Sequence, residues 1–240
     1  MSGKYKFYEK FIPKYIPNAV VLAAFSVIAF LTGPVKKAVR EAHFEENNRL
    51  FAQDENRLLK DARYIENQKE WKAVHFGTHK KSDMSYSGCE IIATYNALRN
   101  LKDYSVSMPY LIRHYEQKGI ALKGGFGISP SAAIKFFRNR GYDVKKITTR
   151  NKGAIDSIGE EYQTFIATFY WNVENIKDQL HTVNISKETD GFYVHNNYCR
   201  GEGGAFTCQG AYRSLGDAIY AVGSTAVPIV IICIRPRISL

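Results

Sequence analysis

Leu180-His181-Thr182-Val183-Asn184-Ile185 is followed by Ser186-Lys187-Glu188-Thr189-Asp190-Gly191 and then by Phe192-Tyr193-Val194-His195-Asn196-Asn197. Two runs with alternating apolar and polar character flank a polar segment that ends in glycine, which predicts a β-hairpin. Side chains alternate along a strand, so His181, Val183 and Ile185 share one face while Thr182 and Asn184 share the other. On the return strand, Phe192, Val194 and Asn196 supply the matching apolar face. His181 and Asn196 are then the polar residues at the open end of a greasy surface, opposite one another across the ladder. That is the arrangement of a base and the group that orients it. The same register turns His195 to the polar side with Tyr193 and Asn197, as a surface histidine. A slip of one residue would exchange the faces and make His195 and Asn197 the pair to test.

About ninety residues upstream, Ser87-Gly88-Cys89-Glu90 runs into Ile91, Ile92, Ala93, Thr94, Tyr95, Asn96, Ala97 and Leu98, whose apolar spacing predicts a helix beginning at the thiol. A cysteine at a helix start meets unpaired backbone amides and the positive end of the macrodipole, both of which favour thiolate. The competing reading is a small packing cysteine. Further helices are expected at 107–118, at 129–140 and at 173–179, with another from Ser214, where Ser214-x-x-Asp217 has the form of a capping box. Ser129-Pro130 supplies a cap and first-turn signal for the 129–140 helix. Strands are expected at 142–148, 164–170, 180–186, 191–198 and 228–235. Helices first and an antiparallel sheet afterwards make an α+β fold, with a cleft between the Cys89 helix and the sheet edge that carries His181.

Over roughly residues 80–236 the chain resembles the papain-like cysteine peptidases, most closely the bacteriocin-leader-processing peptidase domains and their stand-alone bacterial relatives. The pieces that carry the resemblance are Gly88-Cys89-Glu90 with its helix, Gly127-Ile128-Ser129-Pro130, Gly141-Tyr142-Asp143-Val144, His181-Thr182-Val183 and Val194-His195-Asn196, in that order. The resemblance implies a papain-like fold and a peptidase in which Cys89 attacks a carbonyl carbon. His181 takes the thiol proton and later protonates the leaving amine, and Asn196 holds the imidazole tautomer. A thioester intermediate is then hydrolysed. It also implies a thiol acidified by the neighbouring imidazolium. The relatives carry a glutamine several residues before the cysteine, whose amide helps form the oxyanion hole. The stretch from Thr78 to Tyr86 contains none; Lys81, at about that spacing, is the alternative donor, or else part of a solvated basic loop. This departure supports a second function, a catalytically silent module that binds a peptide or protein in the same cleft. No cofactor is implied by either reading.

The chain has 240 residues, 45% hydrophobic and 13% aromatic, enough for one sizeable core. Its formal charge is +10, but residues 1–40 carry seven basic residues against Glu9 alone, so +6 of it lies there. With no basic-aromatic repeat or recognisable module, a nucleic-acid partner is not expected. From Ala19 to Leu31 only Ser26 is polar, with lysines on both sides. The run is short for a bilayer span and lacks a small-x-small cleavage site, so it reads as an uncleaved signal anchor or as a buried helix of the fold. The former puts the catalytic domain on the extracytoplasmic side of a membrane, or makes the protein secreted. Residues 1–35 thus form a hydrophobic segment, 36–75 an amphipathic helical stalk or pro-segment-like clamp, and 76–240 the peptidase-like domain.

Gly124-Gly125-Phe126-Gly127 lacks the Gly-Lys-Ser/Thr ending of a phosphate loop and reads as a turn at the cleft. Cys233 sits in an apolar run and reads as core. Cys199 and Cys208 bracket a Gly-rich segment and are the candidates for a disulfide. Together with His195 they invite a zinc site, but the CxxC spacing and a fourth ligand are missing, so no metal is expected.

Overall fold

The computed structural model describes residues 18–53, 64–80, 82–170, 180–222 and 228–237. The expected helix at 173–179 and Lys81 lie outside them. In chain order the described elements are α1 (Asn18–Thr32), α2 (Lys37–Ala52), the short α3 (Met84–Ser87), α4 (Cys89–Asn100), α5 (Met108–Gln117), α6 (Pro130–Asn139), β1 (Asp143–Ile147), α7 (Lys152–Glu161), β2 (Thr164–Tyr170), β3 (Leu180–Glu188), β4 (Gly191–Arg200), β5 (Phe206–Tyr212), α8 (Leu215–Ala221) and β6 (Pro228–Arg235). The fold is α+β. Its six strands form one antiparallel sheet in the order β1-β6-β2-β3-β4-β5.

Both faces of the sheet are covered, which strand alternation makes possible. Ile166, Val230, Ile232 and Ile234 point to a core shared with Ile91, Ile92 and Leu98 of α4 and with α5 and α6. Phe165, Ala167, Phe169, Val183, Ile185, Phe192 and Val194 point the other way, to a core closed by Ile155 and Ile158 of α7 and by Leu215 and Ile219 of α8. Three elements, α3, α7 and β5, have no counterpart in the sequence reading. Asn151 caps α7 by accepting from Ala154 N–H at 3.0 Å, and Ser214 caps α8 through Asp217 N–H at 3.1 Å, as its capping-box pattern predicts. Ser107 caps α5; Ser129 does not cap α6 by its side chain, and Pro130 instead occupies the first turn.

The hairpin turn is tighter than expected: β3 runs to Glu188 and β4 starts at Gly191, leaving Thr189 and Asp190 between. Asn184 pairs with His195, which sets Asn196 level with Val183. The expectation that His181 faces Asn196 across the ladder is therefore displaced by two residues; extending the register puts His181 level with Tyr198.

The region expected as a stalk or as a clamp packs onto the domain. Val35 N–H bonds Glu116 O of α5 at 2.9 Å, His43 Nδ1 meets Glu116 Oε1 at 2.6 Å, and Arg113 pairs with Glu41 at 2.7 Å. The apolar run forms α1. No single helix among the described residues is long and apolar enough to cross a membrane; α1 and α2 pass that test only as a pair bent by 104°. At one end of α1, Asn18 Nδ2 donates to Thr148 O at 2.8 Å; at the other, Thr32 Oγ1 accepts from Leu122 N–H at 3.2 Å. Between them only Phe25 is buried, while Val20, Val27, Phe30 and Leu31 are exposed.

Candidate functional site

The thiol is placed by a tight turn. Asp83 caps α3 through Tyr86 N–H at 2.9 Å, and Gly88 N–H closes that turn on Met84 O at 3.1 Å. A Cβ on Gly88 would lie 2.5 Å from Met84 O, so only glycine lets α4 start where it does. Cys89 is its first residue and lines a cleft of about 230 Å³ walled by Phe25 of α1, Phe126 and Ile128, Thr168 of β2 and Thr182 of β3. Phe25 and Phe126 meet at a tilt with ring centroids 4.7 Å apart, which makes α1 part of that wall.

The expected acidified thiol is not what the surroundings produce. Burial, and then the charge of Glu90, push the Cys89 thiol up to about 11, while hydrogen bonding from Thr182 draws it the other way. Glu90 is itself anomalous. It is 2% exposed, neither carboxyl oxygen has a hydrogen-bond partner, and burial raises its pKa to about 8. The nearby Thr182 hydroxyl, bonded to Thr168 Oγ1 at 3.0 Å, offsets part of that rise.

His181 is buried, at 6% exposure. Its Nε2 lies 2.8 Å from the main-chain oxygen of Asn196. A carbonyl only accepts, so Nε2 carries the proton and Nδ1 the lone pair in the neutral ring. Burial lowers the imidazole to about 4 despite this bond, and Lys69 adds to the lowering. Phe169 meets the ring edge-on at 5.9 Å and Tyr198 stacks on it at 5.3 Å. Tyr198 also senses Cys89, and Lys69 Nζ lies 4.7 Å from the centre of its ring. Tyr198 thus neighbours both the thiol and the imidazole. Cys89 meets Thr182 and His181 meets Asn196, and alternation along β3 projects Thr182 and His181 to opposite faces of the sheet, so the two candidate residues are not brought together on one face as expected.

Asn196 occupies a left-handed backbone conformation, φ 62°, where β4 breaks its pairing with β5. Its carboxamide does not reach the imidazole. Oδ1 accepts from Gln68 N–H at 2.9 Å and Nδ2 donates to Gln68 Oε1 at 3.2 Å, while its own N–H goes to Glu66 Oε2 at 3.0 Å. The orienting group is thus the peptide and not the side chain. Gln68 Nε2 is held by Ser85 O at 3.1 Å.

His195 is 2% exposed, not the surface histidine expected, because its face of the hairpin is covered by the segment at Tyr64–Glu66. Nδ1 lies 2.7 Å from Glu66 Oε1, Nε2 lies 2.9 Å from Ser186 Oγ, and Tyr64 stacks on the ring at 3.9 Å. Hydroxyl, imidazole and carboxylate follow one another as in a serine nucleophile site, but Ser186 is fully buried and no substrate carbonyl reaches it. Asn197 donates to Gln209 Oε1 at 2.6 Å.

Cys199 and Cys208 are free thiols. Cys199 pairs with Thr207 across the β4–β5 ladder, so the next residue, Cys208, projects to the other face, away from Cys199. Among the described residues, the donor atoms able to hold a metal are those of Glu66, His195 and Cys208. Glu66, Gln68, Tyr198 and Glu90 escaped the sequence reading; only Glu90, a charge inside an apolar helix start, carried a local signal. No protein-family model, curated protein or solved structure matches the chain.

Proposed function

We propose that the cleft beside Cys89 receives a peptide and that the protein is a cysteine peptidase of papain-like arrangement, with Cys89 as nucleophile and His181 as base. The observation that carries this reading is the thiol of Cys89 at a helix start on a cleft wall; His181, a buried imidazole with its lone pair on Nδ1, is the base assigned to it. In the reaction, the thiol proton passes to His181 Nδ1 as the sulfur–carbon bond forms. Collapse of the tetrahedral adduct breaks the carbon–nitrogen bond, and the imidazolium protonates the departing amine. Water then hydrolyses the thioester. Backbone N–H groups at the start of α4 point to where an oxyanion would form, and Lys81 remains a candidate donor. Asn196 contributes through its carbonyl.

A second reading, a catalytically silent peptide-binding module, draws on the charge states: a thiol at about 11 and an imidazole at about 4 strongly disfavour an ion pair at neutral pH. Exposed apolar side chains on α1 suit a membrane partner, with the catalytic region on the extracytoplasmic side. Incubation with a peptide library, followed by mass spectrometry, separates the two functions. Cleavage abolished by Cys89→Ala in a folded protein supports the peptidase; saturable peptide binding without cleavage or thioester supports the module.

A further inference from the structure

We infer that Glu66, His195 and Cys208 form a binding site for a divalent transition metal of the zinc class. The ligand atoms of these three residues all lie within 4.8 Å of one another. They come from three separate parts of the chain, and the sheet register explains the meeting of two of them. Val194 pairs with Gln209 just before the register of β4 and β5 shifts, so the next residues, His195 and Cys208, are brought to the same stretch of the two strands and project to the face opposite that pair. Glu66 comes over that face with Tyr64, whose ring stacks on His195.

The donor set is an imidazole, a thiol and a carboxylate, the mixture that suits zinc rather than magnesium or calcium. Three protein ligands leave one position for water. The groups behind the ligands are already built. His195 Nε2 meets Ser186 Oγ at 2.9 Å, and the second oxygen of Glu66 accepts Asn196 N–H at 3.0 Å. Such contacts orient a ligating histidine and a ligating carboxylate. Ser186 is suited to this because a hydroxyl both donates and accepts. Without metal, His195 Nδ1–H donates to Glu66 and Ser186 donates to Nε2. With metal on Nδ1, the ring proton moves to Nε2 and is donated to Ser186. Cys208 gives up its thiol proton, so one proton is released per ion bound. Burial and the charge of Glu66 hold the Cys208 thiol above its ordinary range, and a divalent cation reverses both influences. An open groove lined by Tyr64, Glu66, Arg200 and Phe206 gives the ion a way in.

The test titrates the full chain, stripped by chelator, with Co²⁺ and with Zn²⁺. One Co²⁺ per chain, with a thiolate-to-cobalt charge-transfer band that Zn²⁺ displaces, is the expected result. Cys208→Ser, a half-buried position, is expected to abolish the band, and Glu66→Gln to weaken binding at least about tenfold. Cys199→Ser leaves both unchanged, and circular dichroism checks that each variant is folded. Zn²⁺ is also expected to raise the melting temperature of the parent but not of folded Cys208→Ser. Absence of binding at micromolar metal overturns the inference, as does a band that survives Cys208→Ser or disappears in Cys199→Ser.

Discussion

His181 Nε2 meets the main-chain oxygen of Asn196 at 2.8 Å, while the Asn196 carboxamide is turned toward Gln68. The tautomer of the imidazole is therefore set by backbone, and the side chain of Asn196 acts by holding that backbone in place. With φ at 62°, the position penalises residues carrying a Cβ other than asparagine or aspartate.

Replacing Asn196 separates these two contributions. Asn196→Ala loses the bonds to Gln68 and keeps the strained φ, so a cost of about 2–4 kcal/mol is expected. Asn196→Gly relieves the strain and is expected to be less costly by about 1 kcal/mol. Urea denaturation measures both. Nitrogen NMR of His181 in the glycine variant is expected to retain the Nε2-protonated form; a switch to Nδ1 protonation would mean that the carboxamide sets the tautomer after all.

Glu90 makes stability pH-dependent in a defined direction. Its pKa rises from the usual 4.5 to about 8 on folding, so the folded chain binds the proton more tightly than the unfolded chain. The native state is favoured below pH 4.5, and that advantage is lost progressively as pH rises toward 8. Glu90→Gln removes the titration. At pH 8 it is expected to be more stable than the parent by a few kcal/mol, since each pH unit climbed between those two values costs the parent on the order of 1.4 kcal/mol. The difference shrinks toward zero at pH 4.5. Equal melting curves at both pH values would contradict the buried, partnerless carboxyl.

Cys89 is expected to alkylate slowly at neutral pH. With a thiol near 11, reaction with iodoacetamide rises about tenfold per pH unit from 7 to 10, without the plateau of an ion-paired thiolate. Mass spectrometry of the peptide containing Cys89 isolates its rate from those of the partly exposed Cys199 and Cys208. A plateau below pH 8 would show that the imidazole ionises the thiol in solution.

The legible parts of this chain were those in which local pattern and final environment agree. Alternation put Val183, Ile185, Phe192 and Val194 in one core, and the spacing after Cys89 put Ile91 and Ile92 in the other. Polar residues on the second face of the hairpin misled because polarity there means partnership: Asn184, Ser186 and His195 are buried against Thr164, Phe165 and Glu66. Strand β5 was missed because Phe206–Tyr212 is only half covered and includes Gly210. Glu66 and Gln68 were invisible because a polar turn far upstream has no periodicity that announces its destination.

Helix α1 has two sides with opposite consequences. Phe25 points into the cleft beside Phe126, whereas Val20, Val27, Phe30 and Leu31 are exposed. Truncating the inner side chain in Phe25→Ala is expected to cost about 3 kcal/mol, at the low end for a buried phenylalanine, because the helix is seated at both ends by Asn18 and Thr32. The same variant widens the cleft and is expected to speed Cys89 alkylation several-fold. The outer pair behaves in the reverse way. Phe30 and Leu31 are 85% and 75% exposed, so Phe30→Ser with Leu31→Ser leaves the melting temperature nearly unchanged. Co-sedimentation with vesicles of phosphatidylcholine and phosphatidylglycerol is expected to fall at least about tenfold in that double variant, since each side chain contributes about 1.5–3 kcal/mol when buried in lipid. Undiminished sedimentation would assign the membrane affinity to the basic residues and leave the outer face of α1 without a lipid role.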